Sequence, residues 1–237
     1  MGVASDLWRF PVKSFAGERL RKAFFGPFGI LGDRRCAAID EKGQVLSARR
    51  VSGLLGFGAR YTDEAATALE IITPSGDAVA PDDPVIADQL WPLLDGPGQI
   101  AYASAGVHDI APIHLLTTAS LAELGRRVGD EELDRRRFRA NLILEIPDCE
   151  PFVESEWVGK GLSIGERGPT LQVISPTERC AVTTFDPETL ERNPTVHSTI
   201  AGQRENFFGV YAAVASPGWV SVGDGVTVID AAPLAPG

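Results

Sequence analysis

Cysteine, methionine and histidine are scarce in this chain: three, one and three among 237 residues. An odd trio of thiols cannot form the paired framework that staples small secreted domains, and it points to a reducing compartment, taken as the cytoplasm. Cys36, Cys149 and Cys180 are also too far apart for a zinc ribbon or a plant-type iron–sulfur motif. His108, His114 and His197 lack the spacing of a helical zinc site, so each reads as structural. No run of about 18 apolar residues occurs, so no membrane span is expected. The N-terminal MGVASDLWRF has neither a charged n-region nor an apolar h-region, so no signal peptide is expected. Asp6 stands where a myristoylation pattern needs Ser or Thr. There is no P-loop, and the dinucleotide-like Gly56-Phe57-Gly58-Ala59-Arg60-Tyr61 ends on Tyr61 where a glycine is required. Nucleotide-binding enzymes of those classes are thereby excluded.

What is present is an acidic, ordinarily apolar chain, with 22 basic against 32 acidic residues, a net charge of −10 and 44% hydrophobic content. The acidity argues against a protein built to grip nucleic-acid phosphates. Lysine is nearly absent from the cations, since 18 of the 22 are Arg. Arginine suits planar, forked recognition of carboxylate and phosphate, though a GC-rich genome produces the same bias. The run Arg135-Arg136-Arg137-Phe138-Arg139 follows Asp130, Glu131, Glu132 and Asp134, and therefore reads as local ion pairs rather than a polyanion patch. Arg139 leads into a strand-like segment, which turns its side chain inward.

Short β-branched and aromatic stretches recur between Gly and Pro punctuation. They predict strands at 36–40, 68–73, 78–79, 99–103, 141–146, 171–175, 180–185, 209–214, 220–222 and 227–229. Pro176-Thr177-Glu178 reads as a turn before Cys180. Two helices are expected: one from Ser120 to Val128, capped by Ser120 with Glu123 completing a capping box, and a short one within Asp83–Leu94. The fold class is mostly β with a few helices, an N-terminal β-barrel-like domain (1–84) packed against a C-terminal β-barrel (85–237). The N-terminal segment is allowed to pack into the second barrel. Cys180, next to Arg179, lies where a cation favours thiolate; on local grounds a reactive or metal-binding thiol and an inert buried one both stay open. Cys36 and Cys149 read as packing residues.

Several segments, taken in order, resemble the MOSC family, named for the C-terminal domain of molybdenum-cofactor sulfurases, in its branch with an extra N-terminal β-barrel. They are Phe10-Pro11-Val12-Lys13-Ser14, Gly32-Asp33-Arg34, Leu46-Ser47-Ala48-Arg49, the stretch His114–Leu121, Phe138-Arg139-Ala140-Asn141, the stretch Arg179–Pro187, Phe208-Gly209-Val210-Tyr211 and Val222-Gly223-Asp224. The resemblance implies a molybdenum cofactor (Mo-molybdopterin) with Cys180 as metal ligand and catalytic centre. Lys13, Ser14, Arg34, Arg49, Thr117, Arg139, Asn141 and Arg179 would bind that cofactor. It further implies an oxidoreductase that cleaves the N–O bond of small N-hydroxylated compounds. Electrons would come from a separate ferredoxin- or cytochrome b5-type donor, and the family carries an association with pyridoxal phosphate binding. A cofactor or sulfur carrier using a Cys180 persulfide is the alternative. The chain departs from the family at Phe10, usually Tyr, and at Leu190, usually Gly; both are expected to shape the substrate rim.

Overall fold

The protein was analysed as a computed structural model, which describes residues 2–94 and 96–231. Asp95, in the expected joint, and 232–237, at the end of the expected C-terminal domain, lie outside the described residues. The elements run β1 (Gly2–Arg9), β2 (Glu18–Leu20), β3 (Lys22–Gly26), β4 (Gly29–Ile30), β5 (Cys36–Asp40), β6 (Gly58–Tyr61), β7 (Leu69–Ile72), β8 (Ala78–Val79), α1 (Pro84–Leu90), β9 (Gly98–Tyr102) and β10 (Ile113–Thr117). They continue with α2 (Thr118–Val128), β11 (Leu142–Glu145), β12 (Gly161–Ile164), β13 (Thr170–Glu178), α3 (Pro194–Arg204), β14 (Phe207–Ser216), β15 (Gly218–Ser221) and β16 (Gly225–Ile229).

Seven strands close a barrel in the order β1-β11-β10-β14-β13-β12-β16 and back to β1. The first strand of the chain completes it by dividing its edges: Val3–Leu7 pair with β11, Gly2 and Val3 with β16, and Leu7–Arg9 with β2. Closure removes the exposed edges that an open sheet would present. The interior is filled by alternate residues such as Leu7, Leu115, Leu142, Leu162, Leu171 and Val210. Strand β10 is buried at every position because it has no solvent face. Ile113 and Leu115 point into the barrel, while Leu116 packs beneath α2 and α3 with Leu124, Phe138, Val196, Ile200 and Phe208. A strand covered on both sides reads as a continuous apolar run instead of an alternation. A third core, including Val12, Phe15, Cys36, Leu54, Phe57, Ile71 and Leu90, joins the β5–β9 pair to the β6-β7-β8 sheet.

Four details correct the sequence reading. Residues 181–184 form a single 3-10 turn and not a strand, because the Thr183 and Thr184 hydroxyls donate back to the carbonyls of Cys180 (3.0 Å) and Ala181 (2.7 Å). Pro176–Glu178 belongs to β13, with irregular register around it. Helix α2 is capped by Thr117, whose hydroxyl accepts from the Ser120 amide at 3.2 Å, while Glu123 pairs with Arg126 and Arg127. Helix α3 was not expected; it starts with an Asn193 cap and Pro at its first turn, and buries only Val196 and Ile200. The arginine run does resolve into ion pairs: Arg135 with Asp6, Arg136 with Asp134 and Glu188, Arg137 with Asp186.

Candidate functional site

A cleft of about 260 Å³ lies where the loops at one end of the barrel meet the N-terminal portion. Its walls come from distant parts of the chain. Lys13 and Ser14 follow β1, Arg34 precedes β5, and Arg49 lies in the turn after β5. His108 and Asp109 lie between β9 and β10, Arg139 and Asn141 lead into β11, and Arg179 and Cys180 follow β13. Three of these residues, Ser14, Arg34 and Arg139, hold positive φ angles of 69°, 49° and 54°. Non-glycine residues rarely adopt that conformation, and its cost is tolerated where surrounding structure fixes it.

The cations are held from behind. The Phe10 ring lies against two guanidinium groups, 4.9 Å from that of Arg34 and 4.3 Å from that of Arg139. Arg34 also pairs with the buried Asp33 and donates to Asn141 Oδ1 and the Arg139 carbonyl, each at 3.2 Å. Asn141 is fully buried: its Oδ1 also accepts from the His114 amide and its Nδ2 donates to the Trp8 carbonyl. Its work is to fix Arg34 and the start of β11. Ser14 Oγ accepts from the Ala48 amide at 2.9 Å and so ties the Lys13 loop to the Arg49 turn. Phe10, 3% exposed, is thus a support beneath the arginines.

Arg139 donates to the Phe15 carbonyl at 2.6 Å, yet its Nη2 is buried without a partner. Burial, reinforced by the Arg34 charge, pushes its pKa down to about 9. Arg179 donates to the Phe138 carbonyl at 2.8 Å and lies 3.4 Å from His114 Nε2, while its own Nε is buried and unpartnered. Burial lowers it too. Burial next to Arg179 and Arg34 keeps His114 well below the usual histidine range, so it is a neutral acceptor. His197 Nε2 sits 3.3 Å from the Arg179 carbonyl. Around the opening, Asp109 meets Lys13 at 2.6 Å and Arg49 at 3.3 Å. The Cys180 sulfur, and secondarily Asp109, raise the pKa of Arg49.

Every predicted site residue except Thr117 lines this cleft. Thr117 is fully buried and bonds instead to Ser120 and to Glu154 Oε2 at 3.0 Å, so it caps α2 and is not a wall residue. Sequence reasoning missed His108, Asp109, Glu178 and Tyr211. Tyr211 stood inside a quoted motif, whereas Asp109 sits in irregular chain and had no signal. Five cations face two carboxylates here, in a protein of net charge −10. Orphaned, buried N–H groups on the half-buried Arg139 and Arg179 call for an acceptor of negative charge, and a phosphate-bearing pterin fits that donor set. Among the described residues no three His, Cys, Asp or Glu side chains converge as a metal site. A metal here would therefore use Cys180 as its one protein thiolate and take its other ligands from a cofactor.

Residues 1–82 match the MOSC N-terminal beta barrel domain, and residues 104–227 match the MOSC domain. The chain belongs to the MOSC family. This MOSC protein is 25% identical to human mitochondrial amidoxime-reducing component 1, over 97% of its own length and 83% of the relative's. It is 33% identical to human molybdenum cofactor sulfurase, over 47% of its length and 14% of the relative's. The YUAD protein of Bacillus subtilis shares its fold, with a TM-score of 0.50, 14% identity and coverage of 97% and 96% of the two chains. The relatives' names speak of molybdenum and amidoxime reduction and give no support to the expected pyridoxal phosphate association. No described helix is long and apolar enough to cross a membrane, and the named amidoxime-reducing relatives are mitochondrial.

Proposed function

We propose that this MOSC protein binds a molybdenum cofactor through Cys180 and reduces N-hydroxylated compounds by cleaving their N–O bond. The observation that carries the reading is the Cys180 thiol in a cleft whose Arg139 and Arg179 have buried N–H groups to spare. Arg34, Arg139 and Arg179 would hold the cofactor's anionic and hydrogen-bond-accepting edges, with Lys13 and Arg49 nearer solvent. Phe10, Ser14 and Asn141 would keep those groups in position. A bound cofactor of this kind supplies two-electron, oxygen-atom-transfer chemistry. A thiolate sulfur suits a high-valent metal already bound by sulfur, and Arg49 and Arg179 line the same cleft as Cys180. In the overall reaction the N-hydroxyl substrate takes up two electrons and two protons, the N–O bond breaks, and an N–H product and water leave. A separate one-electron carrier, ferredoxin- or cytochrome b5-type, delivers the electrons in two transfers. The three cysteines, all free, suit a reducing compartment such as the cytoplasm.

Reduction of benzamidoxime by protein from a cofactor-competent host, driven by an artificial one-electron donor, tests this reading. Turnover lost in Cys180→Ser supports it; a folded, metal-loaded protein without turnover overturns it. The likeness to a molybdenum cofactor sulfurase favours a second reading, a carrier holding sulfur as a Cys180 persulfide. Alkylation and mass spectrometry would detect that persulfide.

A further inference from the structure

Three oxygens beneath helix α2 lie closer together than the hydroxyl protons among them explain. Thr117 Oγ1 is 2.7 Å from Ser120 Oγ, and Glu154 Oε2 is 3.0 Å from the first and 2.7 Å from the second. All three residues are fully buried. Thr117 and Ser120 form the cap and first turn of α2, whereas Glu154 comes from a 3-10 turn, Val153–Trp157, between β11 and β12. The Ser120 amide donates to Thr117 Oγ1 at 3.2 Å and the Phe152 amide to Ser120 Oγ at 2.7 Å. Neither amide proton lies between two oxygens of the triangle.

Each short O···O contact needs one proton, because otherwise two lone pairs face each other where no water screens them. The two hydroxyls supply two protons for three contacts. The third must sit on the carboxyl group. With it each oxygen donates once and accepts once around a closed ring, and Thr117 and Ser120 each keep a lone pair for an amide. The other carboxyl oxygen agrees: Glu154 Oε1 is buried without a partner, which suits the carbonyl of a neutral acid far better than half of a carboxylate. The charged and titratable neighbours do not compensate a carboxylate. Arg204 on α3 donates to Ser155 Oγ at 3.2 Å and lies 4.3 Å from the Phe152 ring, and Arg127 on α2 pairs with Glu123. Burial pushes the Cys149 thiol up, so it stays neutral. Burial likewise outweighs the hydroxyl bonds and the Arg204 charge, and lifts Glu154 above the usual carboxylate range.

We infer that Glu154 is a neutral acid in the folded protein and that its proton closes a pH-operated lock between α2 and the Val153–Trp157 turn. Ionisation opens one side of the ring and leaves a charge sealed from water, so the turn must shift to hydrate it. The turn ends at Trp157, which packs in the barrel core, and Thr117 ends the strand that carries His114 of the cleft. The lock therefore joins the helical cover to the barrel. Because the folded value is the higher one, the lock is complete at and below the ordinary carboxylate range and is lost as pH rises through the raised value.

Glu154→Gln tests this, because the amide nitrogen donates to both hydroxyls and cannot ionise. Denaturant unfolding of the full chain should give wild type and variant nearly equal stability at about pH 5. At about pH 9 the unfolding constant of the wild type should exceed that of the variant at least tenfold. Other titrations are common to both chains and cancel in the comparison. Carbon-13 NMR of wild-type protein labelled at the glutamate carboxyls needs no variant. It should show one carboxyl still protonated at about pH 6, where an ordinary glutamate is ionised, and Glu154→Gln should lack that signal. A wild type in which every glutamate titrates in the ordinary range overturns the inference, whether or not the variant folds. So does a stability difference between the two chains that stays constant from about pH 5 to about pH 9.

Discussion

Arg139→Met should make the ligand-free protein more stable while crippling its affinity for anions. Arg139 is half-buried, with one hydrogen bond to the Phe15 carbonyl, a Phe10 ring against it, and a buried, unpartnered Nη2. Holding a guanidinium at about 9, well below the usual arginine range, costs on the order of 4–5 kcal/mol at neutral pH. Methionine fills much of the same space without the charge but gives up the Phe15 bond and the ring contact, so the expected net gain is about 1–3 kcal/mol. Chemical denaturation at neutral pH measures it. The folded value lies below the unfolded one, so the penalty is complete below about 9 and fades as pH rises above it toward the usual arginine range. The advantage of the variant should shrink over that window. Inorganic phosphate narrows that gap by about 1.3 kcal/mol or more. At a concentration 100 times its dissociation constant it should stabilise the wild type by about 2.7 kcal/mol, and it should bind the variant at least tenfold more weakly. A variant that is less stable without phosphate, yet binds it as the wild type does, would refute the view of Arg139 as a charge held for an anion.

Thr117→Val removes the α2 cap and the hydroxyl donated to Glu154. It should cost about 2–3 kcal/mol by denaturation and leave phosphate affinity within a factor of two, which separates a structural Thr117 from a ligand-binding one. Leu190 occupies the position where the family usually has Gly and holds φ 59°. Leu190→Gly relieves about 1 kcal/mol of backbone strain and should match or exceed wild-type stability, whereas Leu190→Val should lose about 1 kcal/mol or more. The reverse order would show that side-chain packing, and not the backbone, governs that turn.

The fold was legible where a residue pattern has one local cause. The strands at Cys36–Asp40 and Ala78–Val79 stand at the expected residues, and α1 starts at its Asp83 cap. Strand β10 had no alternation to read because both its faces are covered, and α3 offered only two buried apolar residues. Long-range pairing was illegible: nothing local in Gly2–Arg9 announces that Leu7 will pair with Leu142 and close the barrel. At the cleft, charged residues in recognisable segments could be named in advance. Asp109 and the aromatic support from Phe10 depend on which loops meet and carry no sequence pattern. Thr117 failed for the opposite reason, since a residue within a motif was needed by its own helix.

Molybdenum content is the most direct test of the central claim. Protein and its Cys180→Ser variant should be purified in parallel from a cofactor-competent host, checked for folding, and assayed for metal and for pterin released on denaturation. The account predicts molybdenum and pterin approaching one per chain in the wild type, with molybdenum lost in the variant. Folded wild-type protein that takes up neither, or a variant that retains molybdenum in full, would contradict it.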